Sequence, residues 1–401
     1  MGRRHSATPT GTSGHAGGTP EGAETRSDLA LRQLSAAFVL VFLGAGAFQQ
    51  FIGPYLLATY HLGAGAASAV LATIYLVAFV CLTFTSYSMA WLGEYTALVL
   101  STLAYGVFGA VALVTGNIAV LVPAAALWGW GASVLWTAGT AFALDLAGPG
   151  AYGRASGALY TGVFIGQALG VALLGTLEGW VGPRGMVAYV IGVTLLGTAV
   201  ALFLPRRRQP RARPRLLNPL SVLSTSATRL AALILFLSSS GFGLLLGAFG
   251  QTVGAIYGLA AVGWITAGFY VARIPAGTAG GWLIDRLGRQ PVLCAVLLGS
   301  AVALLLAAAL QHPLVFLICA AVLGVQAAVV PVGLTAWVGH RAEAADRPST
   351  FAAIQMWFNM GTGLAILGGP QMLSILGGWR GSFTFFAAIF LACTALASRL
   401  G

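Results

Sequence analysis

The sequence predicts an all-α membrane protein of twelve transmembrane helices arranged as two pseudo-symmetric six-helix bundles. Three observations predict it. Hydrophobic residues make up 58% of the chain and charged residues 7%; apolar runs of span length recur from end to end; and the basic residues fall almost wholly on one side of those runs. An ordinary soluble domain carries roughly 25% charged residues to cover its surface, material this chain lacks. Its 55 glycines supply instead the small residues through which helices approach one another in lipid.

A helix needs about 20 mostly apolar residues to cross hydrocarbon, because every backbone polar group must be satisfied within the segment. Residues 1–33, rich in Gly, Thr and Ser and without an apolar stretch, read as a disordered cytoplasmic tail. The N-terminal bundle (34–204) then holds runs at 35–57, 66–88, 96–115, 118–144, 155–178 and 185–204. Residues 205–229 are too rich in Arg and Pro to span and read as a cytoplasmic linker of the kind that lies against anionic headgroups. The C-terminal bundle (230–401) holds runs at 230–256, 261–284, 291–310, 314–339, 349–375 and 381–399.

Charge sets the orientation. All 20 basic residues are Arg. With the N-terminus inside, 17 of them are cytoplasmic, Arg184 and Arg380 lie outside, and Arg273 falls within a span. Positively charged loops resist translocation, so the bias places both termini in the cytoplasm. The net charge of +11 is spread over short loops and forms no basic face, which argues against nucleic acid. Cys81, Cys294, Cys319 and Cys393 sit inside apolar runs as small hydrophobes. No His, Cys or carboxylate constellation lies within the spans, so neither a metal, a cofactor nor an embedded enzyme is expected. Nothing reads as a selectivity filter.

The halves repeat. Leu92-Gly93 precedes Leu287-Gly288 by 195 residues, and Gly129 precedes Gly324 by the same number. Arg184-Gly185 precedes Arg380-Gly381 by 196, and Phe42-Leu43, Phe48 and Gly53 recur 194 residues later as Phe236-Leu237, Phe242 and Gly247. A nearly constant offset points to a duplicated six-helix unit.

Between the eighth and ninth runs stands Gly281-Trp-Leu-Ile-Asp285-Arg286-Leu-Gly288-Arg289. This resembles the G-x-x-x-D-R-x-G-R signature of the major facilitator superfamily, joining two spans at the cytoplasmic face. Gly281 is expected to let helices approach closely, and Asp285 to accept hydrogen bonds from Arg or a facing helix N-terminus. The resemblance implies a cytoplasmic gate built from Gly281, Asp285, Arg286, Gly288 and Arg289, together with the Asp145…Arg154 loop. It also implies alternating access by rocking of the two bundles. The first-half copy, Ser86–Glu94, departs from the pattern, with Ala90 in place of the Asp and Glu94 in place of the Arg; Glu94 is expected to pair with a cytoplasmic Arg. Gly157, Gly166 and Gly170 resemble the frame of proton-coupled drug antiporters, but Val171 stands where that frame has Pro, and the leading reading is helix packing. The wording around Gln49-Gln50, Trp128–Trp136 and Tyr160–Gly170 also looks like the Unc-93-like branch, some of whose members are accessory proteins.

Polar groups in hydrocarbon are costly and mark function. Arg273 lies 12 residues before Asp285, about 18 Å along a helix, where half the hydrocarbon core is about 15 Å. Two readings stand. It holds an anionic substrate group or coupled carboxylate, or it bonds to carbonyls and amides between helices beside a wet cavity. The candidate substrate set is Arg273 with Gln49, Gln50, Gln167, Trp136, Gln326 and Asn359, which suits a neutral or anionic small organic solute. Glu178 is the carboxylate left for proton coupling. Gly53-Pro54 and Gly369-Pro370 are expected to break their spans near the outer side. The expected protein is a monomeric carrier in a bacterial plasma membrane, with the lipid bilayer and a small-molecule substrate as its only partners. The alternatives are a non-transporting accessory protein and a drug or metabolite:proton antiporter.

Overall fold

The computed structural model describes residues 20–147, 152–206, 214–341 and 347–400; the tail up to residue 19 and linker residues 207–213 lie outside them. The described chain is helical and contains no strand. The first span is interrupted. Helix α1 (Pro20–Val41) passes into a π-helical turn (Phe42–Gly46), and α2 (Ile52–Tyr60) follows after a break. Next come α3 (Ala64–Leu92), α4 (Glu94–Val114), α5 (Ile118–Ala147) and α6 (Tyr152–Leu202). The second half repeats this order. Helix α7 (Ser226–Leu244), a π turn (Leu245–Phe249) and α8 (Gly250–Tyr257) form one span, followed by α9 (Leu259–Leu287), α10 (Arg289–Ala309), α11 (Pro313–Arg341), α12 (Arg347–Ile375) and α13 (Trp379–Ala397).

Among the described residues, ten helical stretches are long and apolar enough to cross a membrane. One of them, Leu159–Leu202, has 44 residues, about 66 Å if straight and twice the hydrocarbon core. It bends at Gly182 (φ 73°, ψ 174°), with Pro183 opening the second limb, and so supplies two crossings. Helix α12 is long enough at 29 residues but carries Gln355, Asn359 and Gln371, which lower its hydropathy. With these two the count is twelve.

The duplication is visible in the backbone. Helices α3 and α9 each have 29 residues and α4 and α10 each 21, at an offset of 195. Gly93 (φ 79°, ψ 150°) and Gly288 (φ 89°, ψ 157°) join each pair in the same left-handed geometry, which glycine alone adopts without strain. Packing repeats as well. Helix α5 lies on α3 and α4, and α11 on α9 and α10; α6 lies on α1, and α12 on α7. A methyl group on Gly129 would stand 2.5 Å from the Ile74 carbonyl, and one on Gly324 would strike the carbonyl of Phe269, itself 195 residues beyond Ile74. Gly166 seats on Val39 O and Gly361 on Phe236 O in the same way. Gly166 and Gly170 thus serve close packing of α6 on α1.

The two bundles meet along α3–α12 and α6–α9. Gly175 of α6 touches Gly263 of α9, where a methyl on the former would lie 2.8 Å from the Cα of the latter. We call the end that holds residues 61–63, 115–117, Gly182, Gly258 and 310–312 the outer end, after the charge assignment above.

Three expectations change. Helix α1 is already helical from Pro20, so the tail is not irregular over residues 20–33, and Ala30, Leu31 and Leu34 pack against the bundle. Helix α12 runs unbroken through Gly369-Pro370, where Gly369 packs on Ala248; the second half breaks in its first span instead, at the π turn around Gly247 (φ −95°, ψ −106°). The linker docks on protein over its described part. Ser86 of α3 bonds both the N–H and the C=O of Arg215, Leu217 N donates to Thr83 O, and Trp357 Nε1 of α12 donates to Pro219 O.

A Cβ at Gly324 meets backbone, which cannot move aside, whereas one at Gly277 meets nothing within 4 Å. Gly324→Val is therefore expected to lower the thermal midpoint of the purified protein by several degrees or abolish its expression. Gly277→Ala should leave the midpoint unchanged.

Candidate functional site at the centre of the bundles

The site begins with the break in the first span. A π turn frees backbone groups that a regular helix would pair. Here the Ala45 amide finds the Thr194 hydroxyl at 3.0 Å, and Gly44 allows that approach. The chain then turns at Gln50 and Phe51, with Gln50 N bonded to Ala47 O and Phe51 N to Phe48 O. That turn aims two carboxamides into the seam between the bundles.

Gln49 Oε1 accepts a 2.6 Å bond from the Tyr75 hydroxyl of α3. Gln50 is fully buried and reaches the opposite bundle twice. Its Nε2 donates to Leu245 O in the second π turn at 2.8 Å, and its Oε1 faces the Tyr270 hydroxyl of α9 at 3.4 Å. Residues 50 and 245 are 195 apart, as are 75 and 270. Tyr75 and Tyr270 thus hold equivalent places in the two halves, and each meets one of the two neighbouring glutamines.

Arg273 lies one turn along α9 from Tyr270 and is partly accessible. Its guanidinium carbon stands 4.5 Å from the ring centre of Phe164, 5.4 Å from Phe269 and 5.8 Å from Phe242. Phe242 and Phe269 are themselves stacked. Tyr75 and Tyr270 are the ionisable groups that face it. Its Nε is buried with no hydrogen-bond partner, and no carboxylate pairs with it among the described residues. A charge at membrane depth costs several kcal/mol or more; each aromatic face offsets about 0.5–2 kcal/mol. The aromatic box therefore holds the cation without neutralising it, and leaves it free to take an acceptor.

From Phe164 an aromatic ladder runs along α6 through Tyr160 (6.3 Å) to Trp136, stacked on Tyr160 at 5.4 Å. Gln167 is buried one turn beyond Phe164 on the same helix. Other expected members stand elsewhere. Gln326 is buried inside the second bundle, its Oε1 near Gly241 and without a partner. Asn359 Nδ2 bonds its own helix at Gln355 O. Trp128 is fully buried between Tyr105 and Phe108 and is core. Glu178 lies 14 residues beyond Phe164 toward the outer end, about 21 Å along the helix, too far to act directly at Arg273. Missed from sequence were Tyr75, Tyr270, Phe164, Phe242 and Phe269. The 195-residue offset was the signal for the tyrosines: it relates them to each other as it relates the glycines.

At the inner end, Gly288 makes the left-handed link to α10. A methyl on Gly281 would meet nothing within 4 Å, so close approach is not its use here. Asp285 and Arg286 are exposed, Arg286 lies over the Trp282 ring at 5.1 Å, and Arg289 is partly buried. Glu94 faces Asp145 rather than an Arg among the described residues. The side chain of Arg154 lies outside them.

Two six-helix bundles related by an internal twofold, meeting at a polar centre with one cation, define a membrane transporter of the facilitator type. Two segments, 34–230 and 230–400, match the Major Facilitator Superfamily, and the chain belongs to that family, one of transporters and not of enzymes. Among curated proteins it is 33% identical over 232 residues to "Probable nitrate/nitrite transporter NarK2" of two Mycobacterium tuberculosis strains. That match spans 53% of this chain and 56% of the relative, so it covers only about half the length of either. Among solved structures it resembles the nucleoside transporter NupG, a point mutant of which superposes with a TM-score of 0.76 at 14% identity over 92% of this chain and 99% of that one. A bacterial homologue of the human lysosomal transporter Spinster gives 0.71 at 15% identity over 96% and 98%.

Tyr75→Phe strands a buried Gln49 acceptor and is expected to cost about 1–3 kcal/mol. Adding Gln49→Leu to the same chain should recover part of that loss, read as the coupling energy of a double-mutant cycle in chemical denaturation.

Proposed function

We propose that this protein is an alternating-access carrier for a small anion, with Arg273 as the residue that receives it. The observation that carries the reading is the state of Arg273: a partly accessible cation between the bundles, boxed by Phe164, Phe242 and Phe269, with a bare Nε and no carboxylate partner. A guanidinium presents its N–H groups in one plane, and these suit an acceptor with two oxygens in one plane. Nitrate and nitrite, named for the NarK2 relative, have that shape and are the first solutes to test. Gln49, Gln167 and Trp136 serve on this reading as the polar and aromatic surroundings of the path.

The rest follows the sequence reading. The halves divide at the linker 205–229, both termini face the cytoplasm of a bacterial cell, the carrier works as a monomer, and Asp285 with its neighbours forms the inner gate. An antiporter for hydrophobic cations fits less well, because a lone Arg repels such cargo and no Asp or Glu lies at its depth among the described residues.

Purified protein in liposomes tests this. Uptake of nitrate or nitrite is expected, and Arg273→Ala should lower it at least about tenfold, the usual loss when a buried charged hydrogen-bonding partner is removed. Arg273→Lys should fall between, since it keeps the charge and loses the planar fork. Equal uptake by wild type and folded Arg273→Ala removes the assignment. A folded wild type that moves no anion favours the accessory-protein alternative.

A further inference from the structure

At the outer half of the seam the bundles exchange glutamines. Gln50 leaves the break in the first span and bonds Leu245 O and Tyr270 of the second bundle. Gln251, at the start of α8, crosses the other way, and its Nε2 donates to Ser68 Oγ of α3 at 2.8 Å. Each arm is seated on a glycine of the opposite bundle. A methyl on Gly250 would lie 2.9 Å from Gln50 Nε2, and one on Gly53 would lie 3.2 Å from Gln251 Nε2. Ser68 and Gln50 are fully buried and Gln251 is 5% exposed. No solute reaches these carboxamides in this arrangement, so the expected role of Gln50 in substrate binding does not hold here.

The two arms are not energetically alike. Gln50 has both ends engaged, although the Tyr270 contact at 3.4 Å is longer than the roughly 2.5–3.0 Å of an ordinary O–H···O bond. Gln251 has only its amide engaged; its Oε1 is buried with no partner. A buried carbonyl without a donor loses its hydration and gains nothing in return, and parting the bundles would give water back to it.

We propose that Gln50 is the bolt that holds the outer gate shut, and that Gln251 is the counterweight that keeps the closed gate able to open. This rests on the carrier reading for its purpose, though its test does not use flux. Replacing Gln50 leaves Leu245 O and the Tyr270 hydroxyl unpaired in the closed form alone, so opening is favoured. Replacing Gln251 by an apolar residue gives up its bond to Ser68, whose hydroxyl can turn to a carbonyl of its own helix, and removes an orphan acceptor from the closed form, so closure is favoured. The two substitutions thus act in opposite directions, which simple damage to packing would not produce.

The measurement is the distance between spin labels at Gly63→Cys and Ala255→Cys, exposed positions on opposite bundles at the outer end. It is made on the full chain in lipid nanodiscs, without solute, with the four native cysteines changed to alanine. The parent is expected to show chiefly one short distance. Gln50→Leu should raise the ratio of long to short distances about fivefold, the order expected from one net hydrogen bond, and Gln50→Met should do the same if the leucine variant fails to fold. Gln251→Leu should lower that ratio or leave only the short distance. Unchanged distances in the Gln50 variants, or both glutamine positions shifting the ratio the same way, would overturn the proposal. Intact label behaviour with no anion flux would count against the carrier reading and leave the bolt standing.

Discussion

In hydrocarbon, a backbone amide or carbonyl without a partner has no water to turn to. That constraint makes this chain helical almost throughout, and it makes each departure from a helix conspicuous. Within the spans of the described residues the departures are few: two π turns, one break in the first span, and positive-φ residues, glycines with His61, at the ends of spans. At each π turn the released group is met by a side chain from elsewhere. Thr194 accepts the Ala45 amide, and Gln50 reaches across the seam to the Leu245 carbonyl. Irregular backbone, cross-bundle contact and the polar centre are thus one feature.

Close packing follows from the same absence of water. Lipid tails are as apolar as leucine, so helices gain by approaching until carbonyls touch Cα atoms. Gly129 on Ile74 recurs as Gly324 on Phe269, and Gly166 and its counterpart Gly361 each seat on a carbonyl of the first span of their own half, Val39 and Phe236. Within each bundle these approaches set the helix positions. Between the bundles, Gly175 against Gly263 does so at the outer end.

The centre breaks the symmetry. Tyr75 and Tyr270 occupy equivalent places, yet the position equivalent to Arg273 is Ala78 and that equivalent to Phe164 is Asn359. One bundle supplies the cation, and the other supplies the ring closest to it. A charge that the duplicated frame does not need, set among aromatic rings and paired with no carboxylate among the described residues, is the part of the protein that departs from packing.

Sequence alone determined the span count, the pairing of halves and the boundary between the fifth and sixth spans, because hydropathy and glycine spacing are local or periodic. It also marked Gly288, whose left-handed geometry no other residue adopts easily. It did not determine which polar residues meet. Gln50 read as a binding residue and is hydrogen-bonded to the other bundle; Gln326 read as lining and is core; Gly281 read as a packing contact and touches nothing. Which face of a buried helix a glutamine occupies depends on neighbours about 200 residues away. In a chain apolar on all sides no hydrophobic stripe points inward, so only the tertiary arrangement decides it.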